Sequence, residues 1–243
     1  MQDPFTHLPT LRDRLTPPEK SELRVTAEVL ALWDQRARLM GRSEDWRLAD
    51  LQREHTRRAV LGDLNAATDD LWVYAYGSLM WDPGIHFSEV RLADLHGYQR
   101  RFTYRITIGR GSPECPALML ALEPQAGCCR GLAFRIPAES VNAESEILWR
   151  REMIRGGYSP MMLPVATPQG DIQALVFTSN HSHPEYAGEL SLGETATMIA
   201  GASGPLGSNQ GYLEQLAAQL SILEIEDDYV AHLLGHVHAV GGA

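Results

Sequence analysis

The pattern of hydrophobic and polar positions changes character near residue 70. Before it, a polar stretch spotted with Arg and Glu carries apolar residues at helical spacing; after it, the spacing shortens to strand-like alternation. Residues 1–15, with Pro4 and Pro9 and no sustained period, are expected to form a loose arm. Thr16-Pro17-Pro18-Glu19 has the form of a helix start, with Thr16 as N-cap, Pro17 in the first position and Glu19 closing a capping box. Leu23, Ala27, Leu30 and Ala31 carry that helix on toward Met40, and Gly41 stops it. A second helix is expected from about Ser43 to Leu61, with Leu48, Leu51 and Ala59 toward one side.

Leu71 to Tyr74 then reads as a buried strand that Tyr76-Gly77-Ser78 breaks abruptly. Arg91 to His96 leads to Gly97-Tyr98, and Arg101 to Thr107 alternates as a strand. Ala117 to Leu122 and Cys128 to Ile136 are two further strands, separated by a turn at Pro124–Gly127 and ended by Pro137. Residues 138–155 form a helix closed by Gly156-Gly157. Met161 to Thr167 and Ile172 to Thr178 pair as strands, and helices follow over Glu194–Ala200, Tyr212–Glu224 and Asp227–His238. The fold class is α+β: a small antiparallel or barrel-like sheet with helices, preceded by a helical extension over residues 1–70.

Composition narrows the functions. The 243 residues can bury a sizeable core, and a net charge of -10 disfavours nucleic acid or an anionic membrane as partner. No apolar run approaches membrane-spanning length and the first residues lack a signal-peptide core, so a cytoplasmic protein is expected. Lys20 is the only lysine and lies away from any Gly-rich loop, which argues against Schiff-base and P-loop chemistry. Cys115, Cys128 and Cys129 make neither a disulfide framework nor a zinc pair; a thiol nucleophile at Cys128 or Cys129 stands as a separate reading.

Two features carry chemistry. A strand running into Gly77-Ser78 can turn consecutive backbone N–H groups away from the sheet, either as an anion cradle or as an ordinary turn. In the helix over 138–155, at about 100° per residue, Val141, Leu148 and Glu152 fall on one line while Glu139, Glu146 and Arg150 lie opposite. Glu152 therefore occupies a position that asks for an apolar residue. It must be paired, with Arg151, Arg155 or Arg105, or neutral, or catalytic. His232, His236 and His238 have helical metal spacing but no accompanying acid, and His181 and His183 lie in a Pro-containing loop. Ser78 lacks the flanking residues of a nucleophile elbow.

Taken together, Tyr76-Gly77-Ser78-Leu79-Met80-Trp81, Arg151-Glu152 before Gly156-Gly157-Tyr158, and Ile199 to Asn209 followed by Tyr212-Leu213 resemble the ChaC family. These are glutathione-specific γ-glutamylcyclotransferases. The resemblance covers about Leu71 to Val240, and Ala75 stands where the family carries a glycine. It implies a catalytic domain over 71–240 with a small β-barrel of short mixed strands decorated by helices. The implied reaction converts glutathione to 5-oxoproline and cysteinylglycine without metal or cofactor. It also implies that Glu152 is the acid/base, that Ala75, Tyr76, Gly77, Ser78, Leu79 and Met80 hold the γ-glutamyl group, and that Tyr158 and Tyr212 line the site. Other γ-glutamyl-amino acids or amines as substrates, and a non-catalytic binding module on the same fold, remain open alternatives, and the oligomeric state is not set by the sequence.

Overall fold

A computed structural model describes residues 3–65 and 67–241, so the first two residues of the expected arm lie outside the described residues. The elements are α1 (Ala27–Leu39), α2 (Asp50–Leu61), β1 (Leu71–Ala75), β2 (Glu89–Ile106), β3 (Ala117–Ile136), α3 (Val141–Glu152), β4 (Tyr158–Val165) and β5 (Ile172–Ser179). They are followed by α4 (Leu192–Gly201), a two-stranded hairpin of β6 (Ser203–Gly204) and β7 (Gly207–Ser208), α5 (Asn209–Ile222) and α6 (Asp228–Gly241). The α+β class holds. The five main strands form a mixed sheet in the order β2-β3-β1-β5-β4, with β1 antiparallel to β3 and parallel to β5. These ladders leave β2 and β4 as edges and do not close the sheet into the expected barrel. A single antiparallel bridge, Asp94 to Ala166 at 2.8 and 3.0 Å, links β2 to the residue after β4.

The chain divides into two compact units. Met1–His96 and Cys128–Thr178 make the first, whose centre is β1. Because β1 has a neighbour on each side, Leu71, Val73, Tyr74 and Ala75 are all buried, and the strand reads as a continuous apolar run. Gly131 of β3 lies against the end of β1, where an added Cβ would collide with the Ala75 carbonyl oxygen. Helix α3 buries Ile147, Leu148 and Trp149, with Trp149 edge-on to Phe177 of β5 at 5.4 Å. Gly97–Gly127 and Ser179–Ala243 make the second unit. Its core includes Ile199 of α4, Leu213 and Leu216 of α5, and Leu233 and Val237 of α6.

Several boundaries differ from expectation for tertiary reasons. The start at Thr16 gives only one 3-10 turn, Pro18–Lys20, because the Thr16 N–H bonds to the Trp81 carbonyl and Arg24 and Val25 are committed to the interior. Helix α1 begins at Ala27 instead, capped by the Thr26 hydroxyl. The second helix loses about its first two turns: Trp46 and Arg47 reach to Asp34, and the Leu48 N–H bonds to the Ile154 carbonyl. Leu51 faces solvent, 85% exposed, and the buried side chains of α2 are Arg53 and Arg57. At Pro124–Gly127 there is no turn; β3 runs straight through as an exposed stretch, and Gln99 donates to the Ala126 carbonyl.

Candidate active site

The turn after β1 is built from the strand outward. Ala75 and Met80 are fully buried, Tyr76 and Leu79 nearly so, and Tyr76 stacks on Tyr74 at 6.4 Å. Tyr74 is fixed in turn by donating from its hydroxyl to the Cys129 carbonyl at 2.6 Å. The chain then makes one 3-10 turn over Ser78–Met80, in which Met80 N–H bonds to the Gly77 carbonyl at 2.8 Å and Asp82 N–H to the Ser78 carbonyl at 2.9 Å. The N–H groups of Ser78 and Leu79 come ahead of that closed turn, and no described residue accepts from them. This is the usual situation of the first donors of a helix, and it leaves two adjacent donors for an anion or a carbonyl oxygen.

Glu152 is the last residue of α3, and its side chain is 14% exposed. Burial pushes its carboxyl above the ordinary range, and the neighbouring Arg151 guanidinium pulls part of the way back. Of the three arginines that could have paired with it, Arg151 does, with Nε 3.1 Å from Glu152 Oε1. Arg155 donates to the Trp46 carbonyl, and Arg105 lies in the second unit. Arg151 also donates from Nη2 to Ser78 Oγ at 2.9 Å and from Nη1 to the Asp82 carbonyl at 2.7 Å. One nearly buried guanidinium thus ties the interior carboxylate to the turn that follows β1. In the sequence Arg151 is only one of three candidate partners for Glu152; its fork is what joins the two halves.

Tyr158 opens β4 in the same unit, buried and edge-on to Phe177 at 6.5 Å. Tyr212 belongs to the second unit, at the start of α5, edge-on to Phe102 at 6.1 Å and covered by the Arg110 guanidinium at 5.3 Å. The long motif from Ile199 to Asn209 has its own structural explanation there. Gly207 adopts a positive φ of 94° in the β6–β7 hairpin, and the buried Asn209 amide both accepts from and donates to the Leu118 backbone, at 2.7 and 2.9 Å. His181 of the second unit approaches the buried Glu123 at 2.7 Å and stacks on Tyr186, while His238 approaches Glu214 at 3.2 Å. Among the described residues no group of three or more His, Cys, Asp or Glu assembles around a metal-sized space.

The fold is that of the γ-glutamyl cyclotransferases. A crystal structure of the glutathione-specific γ-glutamyl cyclotransferase from yeast aligns with a TM-score of 0.65, covering 71% of this chain and 97% of that one at 24% identity. The sequence is more specific than the fold. A family model described as ChaC-like protein matches residues 71–240, and the chain belongs to that family. Similar relatives include the glutathione-specific γ-glutamylcyclotransferase of Escherichia coli (strain K12), 41% identical over 165 residues, or 68% of this chain and 71% of the relative. The human glutathione-specific γ-glutamylcyclotransferase 1 is 34% identical over 177 residues, covering 70% of this chain and 78% of its own.

Proposed function

We propose that the protein degrades glutathione by cyclising its γ-glutamyl group, releasing 5-oxoproline and cysteinylglycine. Residues 71–240 would be the catalytic domain and 1–70 an extension. Family membership sets the reaction class, and the observation that carries the mechanism is the largely buried Glu152 side chain linked through Arg151 to Ser78.

The α-amine of the γ-glutamyl group attacks the γ-carbonyl carbon of the same molecule and closes a five-membered ring. Intramolecular attack of this kind gains effective molarities of about 10⁵–10⁸ M. No nucleophilic side chain is then needed. Across the reaction the amine nitrogen passes from ammonium to a ring N–H and loses two protons. The cysteinyl nitrogen passes from amide N–H to ammonium and gains two, as the C–N bond to it breaks. A single carboxyl that accepts on one side and donates on the other closes this balance, and Glu152 takes that role. The elevated proton affinity of its buried carboxylate suits it to remove a proton from an ammonium and hand it on. Ser78 and Leu79 N–H groups hold the substrate's carboxylate or γ-carbonyl oxygen. Ala75, Tyr76, Gly77 and Met80 shape the turn that presents them, and Tyr158 of the same unit lines the bound glutathione.

Purified protein incubated with glutathione should release cysteinylglycine and 5-oxoproline, and γ-glutamylalanine tests the breadth of the substrate range. Glu152→Gln should lower turnover by roughly 10²–10⁴-fold while leaving the circular dichroism spectrum unchanged. Wild-type turnover in that variant would remove Glu152 from the mechanism.

A further inference from the structure

Residues 16–25 precede α1, lie outside the residues matched by the family model and take no part in the proposed chemistry. They nevertheless reach the loop that follows the turn after β1, all within the first unit. The Thr16 N–H donates to the Trp81 carbonyl at 2.9 Å. Arg24 donates from Nη1 to the Gly84 carbonyl at 2.9 Å and holds both oxygens of Glu144 on α3, at 2.6 and 2.9 Å. Glu144 in turn accepts from the His86 N–H at 3.1 Å. The ion pair therefore grips the loop at two places, the Gly84 carbonyl and the His86 N–H, with the buried Ile85 between them. Both partners are largely withdrawn from water, with side chains 18% and 5% exposed.

The same loop anchors Arg151, whose Nη1 donates to the Asp82 and Pro83 carbonyls at 2.7 and 3.4 Å. At Gly84, where φ is 63°, an added Cβ would stand 3.1 Å from Arg151 Nη1. It would also stand 3.3 Å from both the Leu23 carbonyl oxygen and Ser21 Oγ. The early segment and the guanidinium that pairs with Glu152 thus meet at one glycine. Glu144 and Glu152 also share α3, about two turns apart, so a clip that ties the loop to α3 fixes the reach of Arg151 to Glu152. We propose that Arg24 is a positioning residue for the active site: with Glu144 it clamps the 84–86 loop to α3 and so holds Arg151 against Glu152. The proposal rests on the catalytic reading of Glu152. A purely structural tie of residues 16–25 to the fold would change stability and leave the titration of Glu152 where it is.

The test uses the full chain carrying Arg24→Met and Glu144→Leu together, which removes one charge of each sign and strands no buried carboxylate. The Glu152 carboxyl is followed through a pH titration by carbon-13 NMR, its signal identified by its loss in Glu152→Gln. Arg151 opposes the upward push of burial on that carboxyl, so loosening Arg151 should make Glu152 titrate at higher pH than in the parent. The acid limb of kcat/KM for glutathione should move the same way, and kcat/KM at neutral pH should fall roughly tenfold to a hundredfold. Gly84→Ala, which wedges a methyl group toward Arg151, should raise the titration too, and it serves if the double variant does not fold. Glu152 titrating at or below its parental pH in a variant that folds would overturn the proposal. So would an unchanged pH profile in that variant when the parent turns glutathione over. The carboxyl titration needs no turnover, so an inactive parent would remove the catalytic reading while the clamp is still judged.

Discussion

Glu152 sits on an apolar line of its helix, and that displacement was visible from spacing alone. The structure adds which arginine holds it and what else that arginine touches. Two consequences follow from its raised proton affinity. As a base Glu152 must be ionised, so kcat/KM should fall on the acid side with an apparent pKa above the ordinary Glu value of about 4.3. A pH–rate profile whose acid limb lies at or below that value would sink the assignment. Stability carries the opposite sign. The native carboxyl binds its proton more tightly than the unfolded one, so the linked stability is complete below the ordinary Glu range and is lost as pH rises through the raised value. Glu152→Gln should therefore raise Tm relative to the parent at neutral pH, with the gain vanishing in acid; equal Tm differences at both pH values would contradict this. Tyr76 to Leu79 were legible as a turn. That two of their N–H groups find no acceptor among the described residues was not, because acceptors come from the whole fold.

At the scale of elements, the segment before β1 illustrates how tertiary contacts override local signals. Thr16-Pro17-Pro18-Glu19 has every mark of a helix start, yet the chain delays its helix to Ala27. The cause lies far away in sequence: Arg24 donates to both oxygens of Glu144 on α3, at 2.6 and 2.9 Å, and to the Gly84 carbonyl at 2.9 Å. Glu144 is buried, with His86 N–H at 3.1 Å as its other partner. Arg24→Met would strand that carboxylate and should cost about 3–5 kcal/mol, nearer the lower figure because Arg24 is 18% exposed. Urea denaturation measures the loss, and adding Glu144→Leu should restore part of it. A change within error in Arg24→Met would show that the pair does not hold the segment to α3. The strands tell the same story in reverse. Pro124–Gly127 carries turn residues, but the segment is exposed, so the proline needs no ladder partner and β3 continues.

For the molecule as a whole, the cyclotransferase reading leaves the cysteines without a chemical task. Cys129 is buried in the sheet, Cys128 is exposed, and Cys115 donates to the Gly201 carbonyl at 3.3 Å. A variant with all three replaced by Ala should retain glutathione turnover within a few-fold of the parent, and alkylation should not inactivate the parent. Inactivation proportional to Cys128 modification would instead favour a thiol mechanism. The sequence by itself determined the α+β class, the family and the identity of the interior carboxylate. Hydrophobic periodicity and an out-of-place acid are local properties, and ordered motifs survive without coordinates. Only the tertiary structure decided that the sheet stays open, that Arg151 is the fork between Glu152 and Ser78, and that α2 turns arginines inward. Each depends on which distant groups meet: Arg151 and Ser78 are 73 residues apart, and Arg57 and Ser145 are 88. Such pairings leave no period in the chain.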